Sequence, residues 1–409
     1  MKPLRIFVGL AVGLVAGLTA NVAVRGQSLE WFVAQVTEPV GKIFLRLLLM
    51  LVIPLLFSAL AIGVAGMEVK NLGRMGARTL GYTVVLSAIA VFLGVTLVNV
   101  VRPGDRVPEA LRDRLAAMAP PPPASAAPTS VVDFFVNLVP DNVVRAMSEG
   151  NMIGVIVFAL FFGTGLSLVR TDAARRLQDA LEGLYDVSMR LIGVVIALAP
   201  IGVAALVFTT TARLGVAILQ GLAAYVAVVV VALAIHQFGV YSLAVKFLGG
   251  MSPLKFFKGI RLAMLTAFST ASSNATLPTA IQVADEGLGL PKPVSRFVLT
   301  VGATMNQNGT ALFEGVTVLF LAQLYGVDLT IGSQILVVLI CILAGIGTAG
   351  VPAGSIPVVM MILGSVGVPP DGIGLILGVD RFLDMCRTTL NVTGDLACAV
   401  VIARGEEVG

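Results

Sequence analysis

The sequence predicts an all-α protein that crosses a membrane several times. Its 409 residues are 57% hydrophobic and only 12% charged, and the mean hydropathy is +0.98, which lies far outside the range of soluble domains. Long stretches carry no charge and reach the length of about 20 apolar residues that a spanning helix needs. Beyond residue 250, polar clusters interrupt the apolar segments, and such irregular backbone survives in a bilayer only against protein or water.

Six ordinary spans are predicted in the N-terminal part, residues 1–250. The first is uncharged over more residues than the core of a signal peptide, which has about 7 to 15, so we expect it to remain as an anchor. Lys and Arg concentrate in the loops on one side of the spans, which predicts cytoplasmic N- and C-termini. One loop opposes this orientation, since it carries Arg102, Arg106, Arg112 and Arg114 on the other side. We expect the spans to lie in a cell inner membrane. The spans are 6–24, 47–67, 79–101, 152–169, 191–212 and 214–245.

Residues 102–130 are the clearest linker in the chain. The stretch contains the run Pro120 to Pro123 and an Ala/Ser/Pro tract, a composition that favours extended backbone over helix. We expect a Pro-rich spacer that has no chemistry of its own.

The C-terminal part, residues 251–409, contains two segments that each predict a pair of short helices meeting at a polar tip. The first segment, 254–288, holds STASSNATLP, and the second, 329–369, holds GTAGVPAG. A helix with polar groups follows each of them, over 294–325 and 371–404. Because this arrangement occurs twice, it predicts a solute site near the bilayer midplane. The alternative is that Gly and Pro only kink closely packed helices.

The last helix carries its polar residues along one stripe. With about 100° per residue, all of them fall within an arc of about 100°. An ionised group in hydrocarbon is unfavourable by several kcal/mol, so the stripe must face partners, ions or a water-filled cavity. The stripe consists of Asp380, Asp384, Arg387, Thr388, Asn391 and Asp395.

Two residues of the stripe have the chemistry of a receptor for an α-amino dicarboxylate. The guanidinium of Arg387 suits a carboxylate, and Asp384, one turn earlier, suits an ammonium group. On one helix face the two charges lie about 6 Å apart. The alternative is an internal ion pair between Arg387 and Asp384 that only joins helices.

The preceding polar helix contains the motif NQNGT, Asn306 to Thr310. Its Asn side chains and the break at Gly expose oxygen atoms of the kind that a hard cation such as Na⁺ binds. Asn391 and Asp395 could complete that shell. Glu314 follows one turn later and is a candidate proton carrier. It could equally be paired with a basic group and take no part in transport.

Other function classes find little support in the sequence. Basic residues are scattered over loops and form no patch with aromatic residues, so no nucleic-acid partner is predicted. Cys341, Cys386 and Cys398 show no metal-binding or CxxC spacing. Without a histidine cluster, nucleophile elbow or phosphate loop, we expect neither an enzyme nor an organic cofactor. An anion channel remains the alternative class, because a polar cluster at the midplane could line a pore.

Six long motifs run through nearly the whole chain. They are PVGKIFLRLLLMLVIPLLFSAL (39–60), VNLVPDNVVRAMSEGN (136–151), SSNATLP (272–278), GATMNQNGTALFEGV (302–316), GTAGVPAG (347–354) and DRFLDMCRTTLNVTGD (380–395). With these motifs the chain resembles the dicarboxylate/amino acid:cation symporter family, which includes archaeal aspartate transporters and animal glutamate and neutral amino acid transporters.

This resemblance implies a homotrimer embedded in membrane lipid. Each protomer would have eight transmembrane helices and two re-entrant helical hairpins arranged as inverted repeats. An elevator-type transport domain in the C-terminal part would slide against a trimerisation scaffold in the N-terminal part. The expected activity is symport of acidic amino acids coupled to Na⁺.

The resemblance also implies a role for each matched residue around the substrate. Arg387 would bind the side-chain carboxylate and Asp384 the amino group, while the second tip near Val351 would form the extracellular gate. Relatives that carry C4-dicarboxylates lack the acid, and carriers of neutral amino acids lack the arginine, so aspartate or glutamate is favoured over these alternatives. Further hydrogen bonds would come from Thr388, Asn391, Thr310, Ser272 and Ser273.

Two sodium sites match the family, whereas a third departs from it. The third site uses an Asp where this chain has Asn308, and a Thr where it has Leu86, so we expect it to be lost or weakened. The first matching site comprises Gly302, Asn306, Asn391 and Asp395. The second comprises Thr304, Gly345, Ile346 and Thr348.

Three further positions bear on coupling. Glu314 stands where the animal glutamate carriers have a proton-binding glutamate, which implies co-transport of H⁺ besides Na⁺. Relatives place a supporting arginine at the position of Ala271 or near that of Met385, and this chain has arginine at neither position. The resemblance therefore implies no supporting arginine at either position.

Overall fold

Among the residues that it describes, the computed structural model contains helices joined by turns and loops, and no strand. The predicted all-α class is thereby confirmed. Most of the predicted linker 102–130 lies outside the described residues. The structure describes residues 4–24, 26–65, 75–108, 112, 136, 139–149, 152–215, 217–347 and 354–407.

Ten helices are described before residue 250. π-helical turns join α2 to α3 and extend α10 as far as Leu248. In chain order the helices are α1 (Leu4–Ala23), α2 (Gln27–Phe32), α3 (Glu38–Leu49), α4 (Val52–Ala65), α5 (Ala77–Val101), α6 (Val143–Glu149), α7 (Met152–Leu168), α8 (Asp172–Ala197), α9 (Ala199–Leu214) and α10 (Ala217–Ala234).

The C-terminal part contains helix pairs separated by short breaks, at the positions where the polar motifs were found. α11 and α12 pack against each other, and so do α15 and α16. The helices are α11 (Pro253–Thr270), α12 (Ser273–Gln282), α13 (Lys292–Met305), α14 (Asn308–Leu324), α15 (Ile331–Gly347), α16 (Ser355–Ser365) and α17 (Ile373–Glu407).

Two of the described helical stretches, Ala77–Arg106 and Ile218–Leu248, are long and apolar enough to cross a membrane. A third candidate is the pair α8 and α9, which is bent by 56°. The prediction of six unbroken spans is therefore not confirmed. Proline explains the bend between α8 and α9, because Pro200 has no N–H and its ring excludes a continuous helix through this point.

α1 and α9 pack along a stripe of glycines. A methyl group added at Gly9, Gly13 or Gly17 would lie between 2.0 and 2.4 Å from atoms of α9, so only residues without a side chain permit this approach. α9 also packs against α3, and α4 packs against α7 and α8. We call these helices the N-terminal group: α1, α3, α4, α7, α8 and α9.

α8 presents an apolar stripe to the outside of the described chain. Leu177, Leu184 and Leu191 of α8, and Leu198 directly after it, follow one another at seven-residue spacing, and each is between 38% and 44% exposed. Exposed charged residues flank the first half of this stripe. A sequence with apolar residues every seven positions is typical of a helix that packs against other helices.

α14 lies at the centre of the other helices. Every residue from Asn308 to Leu324 is buried, and the helix packs against α5, α10, α15, α16 and α17. We call α14 and these five neighbours, together with α11, α12 and α13, the C-terminal group, although α5 and α10 precede residue 250 in the chain. Complete burial explains why α14 is apolar on all sides rather than along one stripe.

α17 contacts the N-terminal group through glycines. A methyl group at Gly374 would lie 3.2 Å from Leu206 of α9, and one at Gly378 would lie 2.4 Å from Leu10 of α1. The neighbours at this contact are therefore apolar side chains. α9 makes side-chain hydrogen bonds and ion pairs with other helices. Among the described residues, all the partners in these contacts lie before residue 50, and none is on α17.

Candidate functional site

The break between α13 and α14 lies against α17 and brings the predicted polar residues together. α13 ends at Met305 and α14 begins at Asn308, so Asn306 and Gln307 are not helical. The N–H group of Asn306 still donates to the carbonyl oxygen of Gly302 at 2.8 Å. The side chains of the break face the stripe of α17, as the following contacts show.

Arg387 is 1% exposed, and two acids on α17 hold its guanidinium. Its Nη1 donates to Oδ1 of Asp380 at 2.9 Å, and its Nε donates to Oδ1 of Asp384 at 3.1 Å. The ring of Phe313, from α14, lies 4.2 Å from the guanidinium carbon and makes a cation–π contact. The structure therefore contains an ion pair between Arg387 and Asp384, with Asp380 as a second counter-charge. All three residues lie on α17, so these ion pairs do not join it to another helix.

A second arginine contacts Asp384 from another side. Nη1 of Arg381 lies 3.7 Å from Oδ2 of Asp384, whereas Nη2 of Arg387 lies 3.0 Å from Oδ1. The side chain of Arg381 is 15% exposed. Arg381 falls outside the predicted stripe, because it lies about 100° around the helix from Asp380. The signal that could have found it is its spacing of three residues from Asp384, at which helical side chains meet.

Asn391 connects α17 to the break. Its Nδ2 donates to Oε1 of Gln307 at 2.6 Å and to Oγ1 of Thr310 at 3.1 Å. Its Oδ1 accepts a hydrogen bond from the backbone N–H of Gly309 at 2.7 Å. Thr388, one turn earlier on α17, is also buried. These contacts bring Thr310, Asn391 and the beginning of α14 together.

Asp395 contacts both the break and α13. Nδ2 of Asn306 donates to Oδ1 of Asp395 at 2.9 Å, and a methyl group at Gly302 would lie 2.6 Å from the same oxygen. Oδ1 of Asn306 is buried and has no hydrogen-bond partner among the described residues. The first predicted sodium set is thus assembled around an amide oxygen that is free to accept a further partner.

The second predicted sodium set is described only in part. The N–H group of Gln307 donates to the carbonyl oxygen of Gly345 at 3.2 Å, so the end of α15 reaches the break. Ile346 is the next residue of α15 and is partly buried. The side chain of Thr304, all of Thr348 and the predicted gate at Val351 lie outside the described residues.

Asn308 uses both ends of its amide within the protein. Its Oδ1 accepts a hydrogen bond from Oγ of Ser87 at 2.5 Å, and its Nδ2 donates to the hydroxyl oxygen of Tyr241 at 3.0 Å. Leu86 precedes Ser87 on α5 and is buried, but its side chain has no polar atom. A chain of hydrogen bonds therefore joins α5, α14 and the extension of α10 at Asn308, one of the two residues for which the resemblance implies a departure from the family.

Glu314 is completely buried on α14. Neither of its carboxyl oxygens has a hydrogen-bond partner among the described residues, and none of the ion pairs between described side chains includes it. It follows Phe313, whose ring faces Arg387. Glu314 therefore makes no hydrogen bond or ion pair among the described residues, and Arg387 is the basic side chain whose charge acts on it from further away.

The break between α11 and α12 contains the predicted serines. Oγ of Ser272 accepts a hydrogen bond from the N–H of Ala275 at 3.2 Å and caps α12. Oγ of Ser273 is buried and has no partner among the described residues. Ala271 has a φ of +50°, a left-handed conformation that ends α11 and turns the chain into α12.

The donor atoms at the break suit a hard cation rather than a transition metal. Within the described ranges, no group of three or more His, Cys, Asp or Glu side chains could hold a metal ion. Carbonyl, amide and carboxylate oxygens are the ligands that hard cations prefer, whereas zinc and iron are bound mainly by nitrogen and sulfur.

Several contact residues carried no signal in the sequence. Gln307 stood inside the motif NQNGT without an assigned role, and Phe313 looked like an ordinary apolar residue. Ser87 and Tyr241 lie far from Asn308 in sequence. Their polar atoms meet only because α5 and α10 both pack against α14, so a pattern within one helix could not reveal them.

Known proteins resemble this chain over its whole length. The sequence pattern of the sodium:dicarboxylate symporter family matches residues 3–405. A proton/sodium-glutamate symport protein of Bacillus subtilis (strain 168) is 34% identical over 405 residues, which cover 98% of this chain and 92% of the relative. A proton/glutamate-aspartate symporter of Escherichia coli (strain K12) is 34% identical over 406 residues, with the same coverage. Excitatory amino acid transporter 4 of Mus musculus is 32% identical over 456 residues, covering 95% of this chain and 81% of the relative.

Proposed function

The chain belongs to the sodium:dicarboxylate symporter family, and from this membership we propose that it is a secondary active symporter that imports aspartate or glutamate together with Na⁺ and H⁺. Relatives that match nearly all of the chain are named as symporters of these amino acids. The family and these relatives are membrane transporters rather than enzymes.

The observation that carries the proposal is the buried pair of opposite charges on α17. Without a ligand, Arg387 and Asp384 neutralise each other, since an unpaired buried charge is strongly unfavourable. An acidic amino acid brings a carboxylate for the planar fork of Arg387 and an ammonium group for Asp384. Exchange of partners then leaves neither charge unpaired. A neutral amino acid or a C4-dicarboxylate would leave one of the two without its match.

The neutral polar groups near this pair would hold the rest of the substrate. Thr388 and Asn391 lie within one turn of Arg387 on α17, and Thr310 is joined to Asn391. Ser273 contributes a buried hydroxyl with unused hydrogen-bonding capacity, and Ser272 lies beside it. We assign the gate to the second tip, near Val351.

The cation sites would couple to the substrate through Asn391. A Na⁺ ion bound by the oxygens of Asn306, Asp395 and the carbonyl of Gly302 would lie beside the amide of Asn391. That amide also contacts Thr310 and Gln307. Occupation of the cation site would therefore fix the orientation of a substrate-binding side chain, and the second site at Gly345, Ile346, Thr304 and Thr348 would fix the end of α15.

The third sodium site of the family would be absent, which lowers the number of Na⁺ ions for each substrate. Asn308 has no negative charge, and its amide is already paired to Ser87 and Tyr241. Leu86 offers no oxygen. Hydrogen bonds thus hold together the three helices that a cation would otherwise bridge.

Glu314 is our candidate for the group that carries H⁺. A buried carboxyl group without a polar partner is far better accommodated in its neutral form than as a carboxylate. A protonated Glu314 would therefore travel with the substrate, and the proton would leave where water enters. This assignment supplies H⁺ coupling in addition to Na⁺.

Two features of the helix packing support an elevator mechanism in a homotrimer. α17 meets the N-terminal group through glycines and apolar side chains, a surface that can slide without breaking hydrogen bonds. The stripe on α8 is flanked by charges, so hydrocarbon chains of lipid are a poor cover for it, whereas copies of the same helix would suit it. We place the protein in the cell inner membrane with both termini cytoplasmic.

Transport by reconstituted protein tests the proposed function. Proteoliposomes are offered radiolabelled aspartate, glutamate, alanine and succinate under separate Na⁺ and H⁺ gradients. We expect an imposed gradient to drive uphill accumulation of aspartate or glutamate. Equilibration without dependence on either ion would contradict symport and support the anion channel, and preferential accumulation of alanine or succinate would change the substrate.

A further inference from the structure

Arg381 contacts the proposed substrate site, yet no step of the transport scheme uses it. Its Nη1 lies 3.7 Å from Oδ2 of Asp384, while Arg387 holds Oδ1 of the same carboxylate. Asp384 therefore lies between two guanidinium groups. Arg381 is also mostly buried, with a side-chain exposure of 15%, so solvent screens its charge only in part.

The charges of this cluster balance only when Arg381 is counted. Asp380 and Asp384 contribute two negative charges, and Arg387 contributes one positive charge. Arg381 supplies the second positive charge and makes the cluster neutral. Without it, a substrate with a net negative charge would enter a site that is itself negative, and the repulsion between like charges is strong where water is largely excluded.

Arg381 would also change how easily Arg387 is released. Because the guanidinium of Arg381 lies near Oδ2 of Asp384, Asp384 does not depend on Arg387 alone for its counter-charge. A substrate carboxylate can then replace Asp384 at Arg387 without leaving Asp384 unpaired. Nε of Arg381 is buried and has no hydrogen-bond partner among the described residues, which distinguishes it from an arginine whose donors are all used to hold the fold.

We propose that Arg381 sets the charge selectivity of the site, favouring an amino acid with an anionic side chain over its neutral isostere. The inference rests on the proposed function, because it assumes that Arg387 and Asp384 bind the substrate. Arg381 acts in it as a specificity-determining residue that works through Asp384.

Aspartate and asparagine form the sharpest test, since they differ in side-chain charge but hardly in shape. Their Kd values are measured on the purified full-length protein at saturating Na⁺, by calorimetry or by competition with labelled aspartate. For Arg381→Gln we expect the Kd of aspartate to rise about tenfold and that of asparagine to change less than about twofold. A purely structural role would weaken both ligands alike.

Two further variants control this experiment. Arg381→Lys keeps the charge, and we expect its Kd for aspartate to stay within about threefold of the parent value. Arg261→Gln removes a positive charge from the exposed face of α11 and should leave the ratio of the two Kd values unchanged. If Arg381→Gln does not fold, Arg381→Met, which keeps an apolar stem of similar length, takes its place.

The outcomes separate this inference from the proposed function. A parent protein that binds no acidic amino acid would overturn the function itself. If the parent binds aspartate but Arg381→Gln has the same ratio of Kd values, the selectivity role is wrong and the transport assignment stands. Where asparagine binding is too weak to measure, the lysine variant decides, because failure of lysine to restore aspartate binding contradicts a role based on charge.

Discussion

Arg387 shows how a single residue can hold a charge where almost no solvent reaches it. Two carboxylates and the ring of Phe313 surround its guanidinium, and together they replace the lost hydration. The stripe on α17 and its opposite charges could be predicted from spacing alone. The contact with Phe313 could not, because it depends on how α14 packs against α17.

We predict that a substitution at Asn308 changes the coupling of aspartate binding to Na⁺. Asn308→Asp removes the donor to Tyr241 and adds a negative charge beside the hydroxyls of Ser87 and Tyr241, which can reorient toward a cation. We expect the dependence of aspartate binding on Na⁺ concentration to steepen by about one ion, because oxygen ligands with net negative charge favour hard cations. The measurement is aspartate affinity as a function of Na⁺ concentration.

The double variant Asn308→Asp with Leu86→Thr restores both departures from the family and should give the larger effect. Leu86→Thr alone is the matched control, since it adds a hydroxyl without a charge. A parent protein that already transports three Na⁺ with each substrate would show that the third site is intact.

We predict that Glu314 is the source of the dependence of uptake on an H⁺ gradient. Glu314→Gln keeps the shape of the side chain but cannot lose or gain a proton. We expect uptake by the parent to respond to an imposed H⁺ gradient and uptake by the variant to be insensitive to it, at equal Na⁺. Glu182→Gln, on the exposed surface of α8, serves as the control. If both Glu314→Gln and the parent respond alike to pH, another group carries the proton.

The breaks between helices contribute many of the polar groups of the candidate site. The polar motif after α11 predicted the break there, because Ser, Asn and Pro interrupt helices. The break predicted at Gly309 was misplaced: it lies at Asn306 and Gln307, and Gly309 is helical. A side chain at Gly309 would meet the carbonyl oxygen of Arg387 at 2.6 Å, so this glycine permits the close approach of α14 to α17. The second tip, after α15, lies outside the described residues.

The division of the stretch 47–67 into α3 and α4 was not predicted, although Pro54 lies in the first turn of α4. Uncharged length alone hides a proline inside an otherwise apolar stretch.

The break between α11 and α12 predicts a stabilising substitution. Ala271 has a positive φ, which is unfavourable by about 1 to 2 kcal/mol for a residue with a side chain. We therefore expect Ala271→Gly to raise the midpoint of thermal unfolding of the purified protein. Ala16→Gly, inside the exposed part of α1, should lower it, because glycine weakens a helix by about 1 kcal/mol. An equal effect of both substitutions would contradict the assigned conformation of Ala271.

The contact of α17 with the N-terminal group predicts a variant that binds but does not transport. Gly378→Leu would push a side chain into Leu10 and Val207 and obstruct sliding, while the polar stripe begins only two residues later. We expect aspartate binding within about threefold of the parent and uptake reduced at least about tenfold. Gly13→Leu is the control, because it separates α1 from α9 within one group and should lower stability instead. Normal uptake by Gly378→Leu would argue against motion along this surface.

The stripe on α8 is a surface that a single chain leaves uncovered. The double variant Leu184→Arg with Leu191→Arg places two charges in it, and we expect the purified protein to change from three chains of 42.4 kDa to one. Light scattering coupled to gel filtration measures the mass. Leu254→Arg, at an exposed position of α11, should leave the mass unchanged. A trimer that persists in the double variant would show that another surface joins the chains.

Composition was sufficient to predict the class of the molecule, and the polar motifs contain many of the residues that meet at the candidate site. The arrangement of helices was harder to predict, because it depends on contacts between residues far apart in sequence. The close approach of α1 to α9 through Gly9 and Gly13 is one example, and the meeting of Ser87 with Asn308 is another. The sequence around one residue of such a pair does not indicate which distant residue it contacts.

The complete burial of α14 has a consequence for pharmacology. An apolar compound dissolved in the bilayer cannot contact the side chains of α14, because neighbouring helices cover α14 along its whole length. Inhibitors that bind near α14 therefore need to be small and polar enough to enter by the path of the substrate. Compounds that act from the lipid side would have to bind exposed helices and obstruct the proposed sliding of α17 against the N-terminal group.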